Sequence, residues 1–169
     1  MSNPIVDVIM VTYNQEEYVS QAIESVLSQE VSFTYKLIIH DDCSSDKTAE
    51  ICREYSSNYP DKILFIKNNI NVGLVLNYKR AFALCSGKYI AILEGDDYWT
   101  DQCKLQKQIE ITKEIKRNEK RSTSEHVSMK NNVLLLIYNA GLKGITVAQI
   151  MQQKPIQNKK EAYNIHTIN

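Results

Sequence analysis

Three carboxylates fall within four residues at Glu94-Gly95-Asp96-Asp97, directly after the apolar run Tyr89-Ile90-Ala91-Ile92-Leu93 and before Tyr98-Trp99. Like charges this close repel, and one takes up a proton unless a cation or a set of donors neutralises them. A hard divalent cation such as Mg2+ or Mn2+ favours this all-oxygen donor set. The plainer reading is a solvated turn in which Asp and Gly reverse the chain. Three further polar groups share the pattern of following an apolar run: Thr12-Tyr13-Asn14, with Glu16 just beyond; Asp41-Asp42; and Asn68 to Gly73, which includes Asn71. A carboxylate at 41 or 42 can accept from a base N–H or from ribose hydroxyls, or can form an Asx turn that caps the next helix. Asn71 and Gly73 can bring amide and backbone donors close to a ligand, or can form an ordinary loop.

These groups must be positioned by regular elements, and the periodicity supplies them. Ile5 to Val11 reads as a buried strand. Asn14 with Glu17 three residues on has the form of a capping box. Val19, Ala22, Ile23, Val26 and Leu27 then mark one apolar face of a helix. Tyr35 to His40 is a second strand. A helix over about 46–57 follows, with Ala49, Cys52 and Tyr55 inward. Ile63 to Ile66 is a third strand. Leu74, Asn77, Tyr78, Ala81, Phe82 and Cys85 keep helical spacing, with Gly87 placed as a C-terminal cap. Tyr89 to Leu93 is the fourth strand, and a helix from near Asp101 carries Leu105, Ile109, Thr112 and Ile115 on one face. Strands alternating with helices predict an α/β fold, a mostly parallel open sheet with helices on both faces. In such sheets ligands bind beyond the carboxyl ends of the strands, where all four polar clusters fall.

Composition narrows the classes. The 169 residues suit one domain with an appendage. The division is expected at 1–111 and 112–169. Net charge is zero, but residues 1–103 hold 8 basic and 15 acidic side chains (net −7) and residues 104–169 hold 12 and 5 (net +7). A basic half can mark a nucleic-acid or membrane contact, or a merely solvated basic helix. With only Tyr138 and Tyr163 as aromatics, the tail lacks a stacking platform, so no nucleic-acid partner is expected. The four cysteines form no C-x-x-C pair, which predicts free thiols and no zinc. The opening residues run straight into a strand pattern and no apolar run spans a bilayer, so a cytoplasmic location is expected. A contact with the inner face of the membrane is compatible with the basic tail. No G-x-G-x-x-G or G-x-x-x-x-G-K-[ST] occurs, which disfavours a dinucleotide fold and a phosphate loop.

The blocks Val11-Thr12-Tyr13-Asn14, Ile39-His40-Asp41-Asp42-Cys43-Ser44-Ser45-Asp46, Asn71-Val72-Gly73 and Gly87 to Trp99 resemble the family 2 glycosyltransferases of GT-A fold, in their order and spacing over about residues 4–110. The run Asp96 to Asp101 with Lys104 to Gln108 resembles the bacterial branch that builds surface polysaccharides. The resemblance implies inverting transfer of a sugar from a nucleotide-sugar donor, commonly a UDP-sugar, to a saccharide or lipid-linked saccharide acceptor. It implies that Thr12, Tyr13, Asn14 and Glu16 line the nucleoside pocket, that Asp41 or Asp42 reads the base, and that Asn71 and Gly73 contact the donor. Glu94 stands where the family often has the first Asp of its D-x-D motif, and Asp96 matches the second. Mg2+ or Mn2+ is then held by Asp96 and Glu94, or Glu94 with its longer reach meets the sugar or an outer-shell water instead, with Asp96 and Asp97 as the catalytic carboxylates.

The resemblance stops short of the tail. Residues 112–169 match no acceptor half and supply no acidic block for a general base; Glu125 beside His126 is the sole acidic candidate in mid-tail and reads as surface. The tail's apolar pieces suggest a helical hairpin broken at Gly141 and Gly144, poorly packed on the sheet. Two readings therefore stand: an enzyme completed by a partner or a second copy, or a non-catalytic nucleotide-sugar-binding module.

Overall fold

A computed structural model describes residues 4–122 and 134–136. The elements run β1 (Val6–Thr12), α1 (Val19–Leu27), β2 (Tyr35–Asp41), α2 (Thr48–Asn58), β3 (Ile63–Lys67), α3 (Leu74–Phe82), β4 (Tyr89–Glu94), α4 (Lys104–Ser122) and β5 (Leu134–Leu136). The strands pair in the order β3-β2-β1-β4-β5, all parallel. α4 runs unbroken through the boundary expected at 111–112. Within the tail, expected to be helical, Leu134–Leu136 instead pairs with Tyr89–Ala91 as a strand; the apolar Leu run suits a sheet edge as well as a helix. The expected Gly141–Gly144 break, Glu125 and His126 lie outside the described residues.

The period-2 alternation of β1 sorts the core into two layers. Val6, Val8 and Met10 face α1, α2 and α4, where Val19, Ala22, Ile23, Val26, Cys52, Leu105 and Ile109 close over them. Ile9 and Val11 face α3 and meet Tyr78, Ala81 and Phe82. Every residue of β1 is buried, as expected for a central parallel strand.

Two of the expected local signals are replaced by longer-range ones. α1 starts at Val19, its N-cap is Tyr18, and no side chain caps it. Asn14 adopts φ 53°, a left-handed conformation that Asn tolerates better than most residues. Its Oδ1 then accepts from the Ser45 N–H at 2.9 Å rather than capping its own helix. Gly87 is no helix cap either, because α3 ends at Phe82 with Ala83 as C-cap. The Gly87 and Ser86 N–H groups both donate to Asp7 Oδ2 at 2.6 Å. A Cβ on Gly87 would lie 3.0 Å from that carboxylate and from the Asp7 nitrogen, so glycine is the residue that fits. Asp7, 1% exposed near the start of an apolar strand, thus ties the α3–β4 connection to the end of the sheet away from the polar clusters.

This arrangement predicts that Asp7→Ala, which leaves two backbone donors without their acceptor, lowers stability by about 2 kcal/mol. Urea unfolding of the two proteins measures the difference; a loss under about 0.5 kcal/mol would contradict the role given to Asp7.

Candidate functional site

The four polar clusters do converge at the carboxyl edge of the sheet. In register, Thr12 stands beside Asp41 and Val11 beside Glu94, so two strand spacings, roughly 10 Å, separate the Asp41 and Glu94 backbones. The clusters play different parts there.

Asp41 and Asp42 build the frame. Asp41 is 0% exposed and accepts from Thr12 Oγ1 at 3.1 Å, from the Ser44 N–H at 2.9 Å and from Ser44 Oγ in a short bond. Asp42 is 3% exposed; its Oδ1 accepts from Asn68 Nδ2 and the Val72 N–H, both at 2.9 Å, and its Oδ2 from the Gly73 N–H at 2.8 Å. Gly73 is the N-cap of α3 with φ 84°, a conformation strained for any residue with a Cβ. The two aspartates expected to read a base are thus both enclosed, Asp41 bonded to the first and second turns and Asp42 to Asn68 and the 72–73 backbone.

A buried polar chain continues from Asp42 into α3. Asn77 Nδ2 donates to the His40 carbonyl at 2.9 Å, which orients the amide. Asn77 Oδ1 therefore accepts, from Asn68 Nδ2 at 2.9 Å and from His40 Nδ1 at 2.7 Å. Burial, and then the Arg80 charge, push the His40 pKa down, so the ring stays neutral with its proton on Nδ1. Arg80 Nη1 donates to Asn68 Oδ1 at 2.6 Å and closes the chain.

The first turn is tied to the second as firmly. The Asn14 N–H donates to Ser44 Oγ at 2.9 Å, the Gln15 N–H to Thr48 Oγ1 at 2.7 Å, and the Lys47 N–H to Glu16 Oε2 at 2.8 Å. Of the expected pocket residues here, Thr12, Asn14 and Glu16 are used in this stitching. Tyr13 stands apart with its ring 49% exposed, and Asn71 is also exposed.

The acidic cluster is the part left open. One oxygen from each of Glu94, Asp96 and Asp97 lies within 4.8 Å of the others; Asp96 is exposed and its two neighbours are half-buried. Burial, and then the Asp96 charge, raise the Glu94 carboxyl above its usual range, against the Tyr78 hydroxyl, which donates to Glu94 Oε1 at 3.2 Å. Asp97 is raised by the same two causes. Three hard oxygen ligands at this spacing, with no ion pair to them among the described residues, fit a divalent cation in chemistry and in charge. Gly95 makes the approach possible. A Cβ there would strike Gln15 Oε1 and would sit 2.6 Å from Thr12 Cγ2, so glycine lets this turn lie on the end of β1. The far side of the turn is moored by Gln29, whose Nε2 donates to the Asp101 carbonyl at 2.8 Å and whose Oε1 accepts from the Leu105 N–H at 3.0 Å.

A cavity of about 330 Å3 adjoins the cluster, with Asp97, Tyr98, Trp99 and Lys104 in its wall. Lys104 Nζ stands 4.1 Å from the centroid of the Trp99 ring. Burial pushes the Lys104 ammonium down to about 8, although Asp101 pulls it up. Tyr78, Gly95 and Lys104 were not among the expected site residues. Tyr78 had only its inward helical spacing as a signal, and Gly95 only its place between acids.

The sequence profile of glycosyl transferase family 2 matches residues 7–119. A putative glycosyltransferase of Bacillus subtilis, EpsE, is 40% identical over 96 residues, which are 57% of this chain and 34% of that protein. The chain spans about a third of the length of the curated relatives it matches. The mannosyltransferase PcManGT of Pyrobaculum calidifontis, solved with GDP-Man and Mn2+, superposes at a TM-score of 0.57 with 19% identity, over 64% of this chain and 32% of that one. TarS of S. aureus, solved with UDP-GlcNAc, superposes at 0.55 with 23% identity, over 64% and 31%. These likenesses establish a GT-A fold for the described sheet and its helices. With the profile covering most of the chain, including all four rim clusters, the chain belongs to glycosyl transferase family 2.

Proposed function

We propose that this chain is the donor-binding part of an inverting glycosyltransferase, which moves a sugar from a nucleotide-sugar, in the first instance a UDP-sugar, to a hydroxyl of a saccharide or lipid-linked saccharide. The observation that carries this reading is the open carboxylate cluster, set on the same rim as two enclosed aspartates that fix the neighbouring loops.

Asp96, with Glu94 beside it, would hold Mg2+ or Mn2+. Such an ion, when bound, neutralises charge that builds on the departing nucleoside diphosphate. The residues around it do the placing. Tyr13 offers an exposed aromatic face to a base. Asp42 keeps Val72 and Gly73 in position, so that Asn71 and Gly73 line the donor side of the rim. Asp97, on the wall of the cavity with Trp99, faces the side from which a sugar ring would enter. Transfer with inversion also needs a base for the acceptor hydroxyl, and no described residue is assigned that role. A second reading is a module that binds the donor without transferring its sugar.

Calorimetric titration with UDP tests the binding claim. UDP should bind in the presence of Mn2+ and weaken at least about tenfold without it or in Asp96→Ala, as expected when a charge-neutralising contact is removed. Binding indifferent to both changes would overturn the reading. Release of UDP from a UDP-sugar separates the enzyme from the binding module.

The raised carboxyls of Glu94 and Asp97 give a pH signature. Below their folded pKa values protons occupy the oxygens that a cation needs, so Mn2+ affinity must fall as pH drops toward the carboxylate range. Without metal, the folded state holds these protons more tightly than the unfolded chain, so this pair costs stability as pH rises through that window. Mn2+ should therefore raise Tm more at about pH 7.5 than at about pH 5. An equal or larger rise at the lower pH would contradict the assignment.

A further inference from the structure

Tyr78 is a fully buried tyrosine whose hydroxyl reaches a functional group. Its ring sits in the apolar layer with Ile9, Val11, Ile90 and Ile92, and 6.2 Å from Phe82 between centroids. A buried tyrosine needs a partner for its O–H, and the partner here is Glu94 Oε1 at 3.2 Å, across sixteen residues of sequence. Toward a carboxylate oxygen the phenol O–H is the donor, so Tyr78 gives its proton to this bond and Glu94 accepts. Oε1 of Glu94 is thereby engaged by the phenol, while one carboxylate oxygen of Glu94 also lies within 4.8 Å of an oxygen of Asp96 and of Asp97. A glutamate, one methylene longer than aspartate, is long enough to satisfy both demands.

We propose that Tyr78 is a positioning residue for the cation site: its hydroxyl fixes Glu94 so that a single carboxylate oxygen is presented to the ion. This rests on the reading of the acidic cluster as a divalent-cation site. Tyr78 also belongs to the same helix as Asn77 and the Gly73 cap, so α3 links the clamp on the donor loop to the orientation of the acidic cluster.

The test uses Mn2+ alone, followed by the electron paramagnetic resonance signal of the free ion, on the full chain. Tyr78→Phe should weaken Mn2+ about tenfold, in the range seen when groups that orient metal ligands are removed. In a Glu94→Ala background the same change should cost nothing further. Tyr78→Met is carried in parallel, so that one folded variant suffices, as judged by melting in EDTA. Mn2+ affinity within twofold of wild type in the folded variant would overturn the proposal. So would an equal loss with Glu94 already removed, because the effect would then be one of packing alone. Wild-type protein that takes up no Mn2+ would overturn the cation site and this role with it, an outcome distinct from a wild-type protein that binds and a variant that binds as well.

Discussion

Charge compensation divides the acidic residues of this protein into two kinds. Asp7, Asp41 and Asp42 are enclosed, and each is met by backbone N–H groups or side-chain donors that replace its lost hydration. Glu94, Asp96 and Asp97 each place one oxygen within 4.8 Å of the others, and among the described residues the Tyr78 phenol donates to Glu94. A folded chain that satisfies three buried carboxylates with care, yet leaves three more to repel at the end of its central layer, has an unbalanced site. A divalent cation brought in with a diphosphate would supply the missing charge.

The rest of the structure serves to keep that imbalance in one place. Parallel pairing of β1 with β2 and β4 brings the ends of three strands to a common edge. Asp41 and Ser44 bind the first turn to the second, and Asp42 binds the second to the third. Gly95 allows the fourth turn to rest on Thr12, and Gln29 anchors its exit. The buried chain of Asn68, Asn77 and His40, closed at its exposed end by Arg80, lies behind the 68–73 loop. Loops held by such bonds would lower the ordering cost of a flexible ligand such as a nucleotide-sugar.

Much of this was legible before any coordinates. The i, i+3, i+4 pattern of Val19, Ala22, Ile23 and Val26 marks α1's buried face, and the Ile/Val runs mark β1 and β2. The alternation of strand and helix yields the edge on which the polar clusters meet. What escaped were interactions between residues far apart in sequence. Asn14 next to Glu17 has the form of a local cap, yet its amide is drawn to Ser45, 31 residues away. Gly87 has the spacing of a cap, yet it is glycine because Asp7 lies against it from 80 residues earlier. Asp41 and Asp42 have the composition of a ligand site, and nothing local announces their hydrogen bonds to Thr12, Asn68, Val72 and Gly73. Tyr78 differs from any inward helical residue only in what its hydroxyl touches. Local spacing reports periodicity well and long-range hydrogen bonding hardly at all, so elements were readable and the division of labour among the acids was not.

The most direct test of the central claim is a crystal of this chain grown with UDP and Mn2+, with anomalous differences recorded at the manganese edge. The account places the anomalous peak within about 2.5 Å of an Asp96 carboxylate oxygen, the range for hard cations on oxygen ligands, with the diphosphate on its other side. A nucleotide bound with no manganese beside it, or a manganese peak away from Glu94, Asp96 and Asp97, would contradict it.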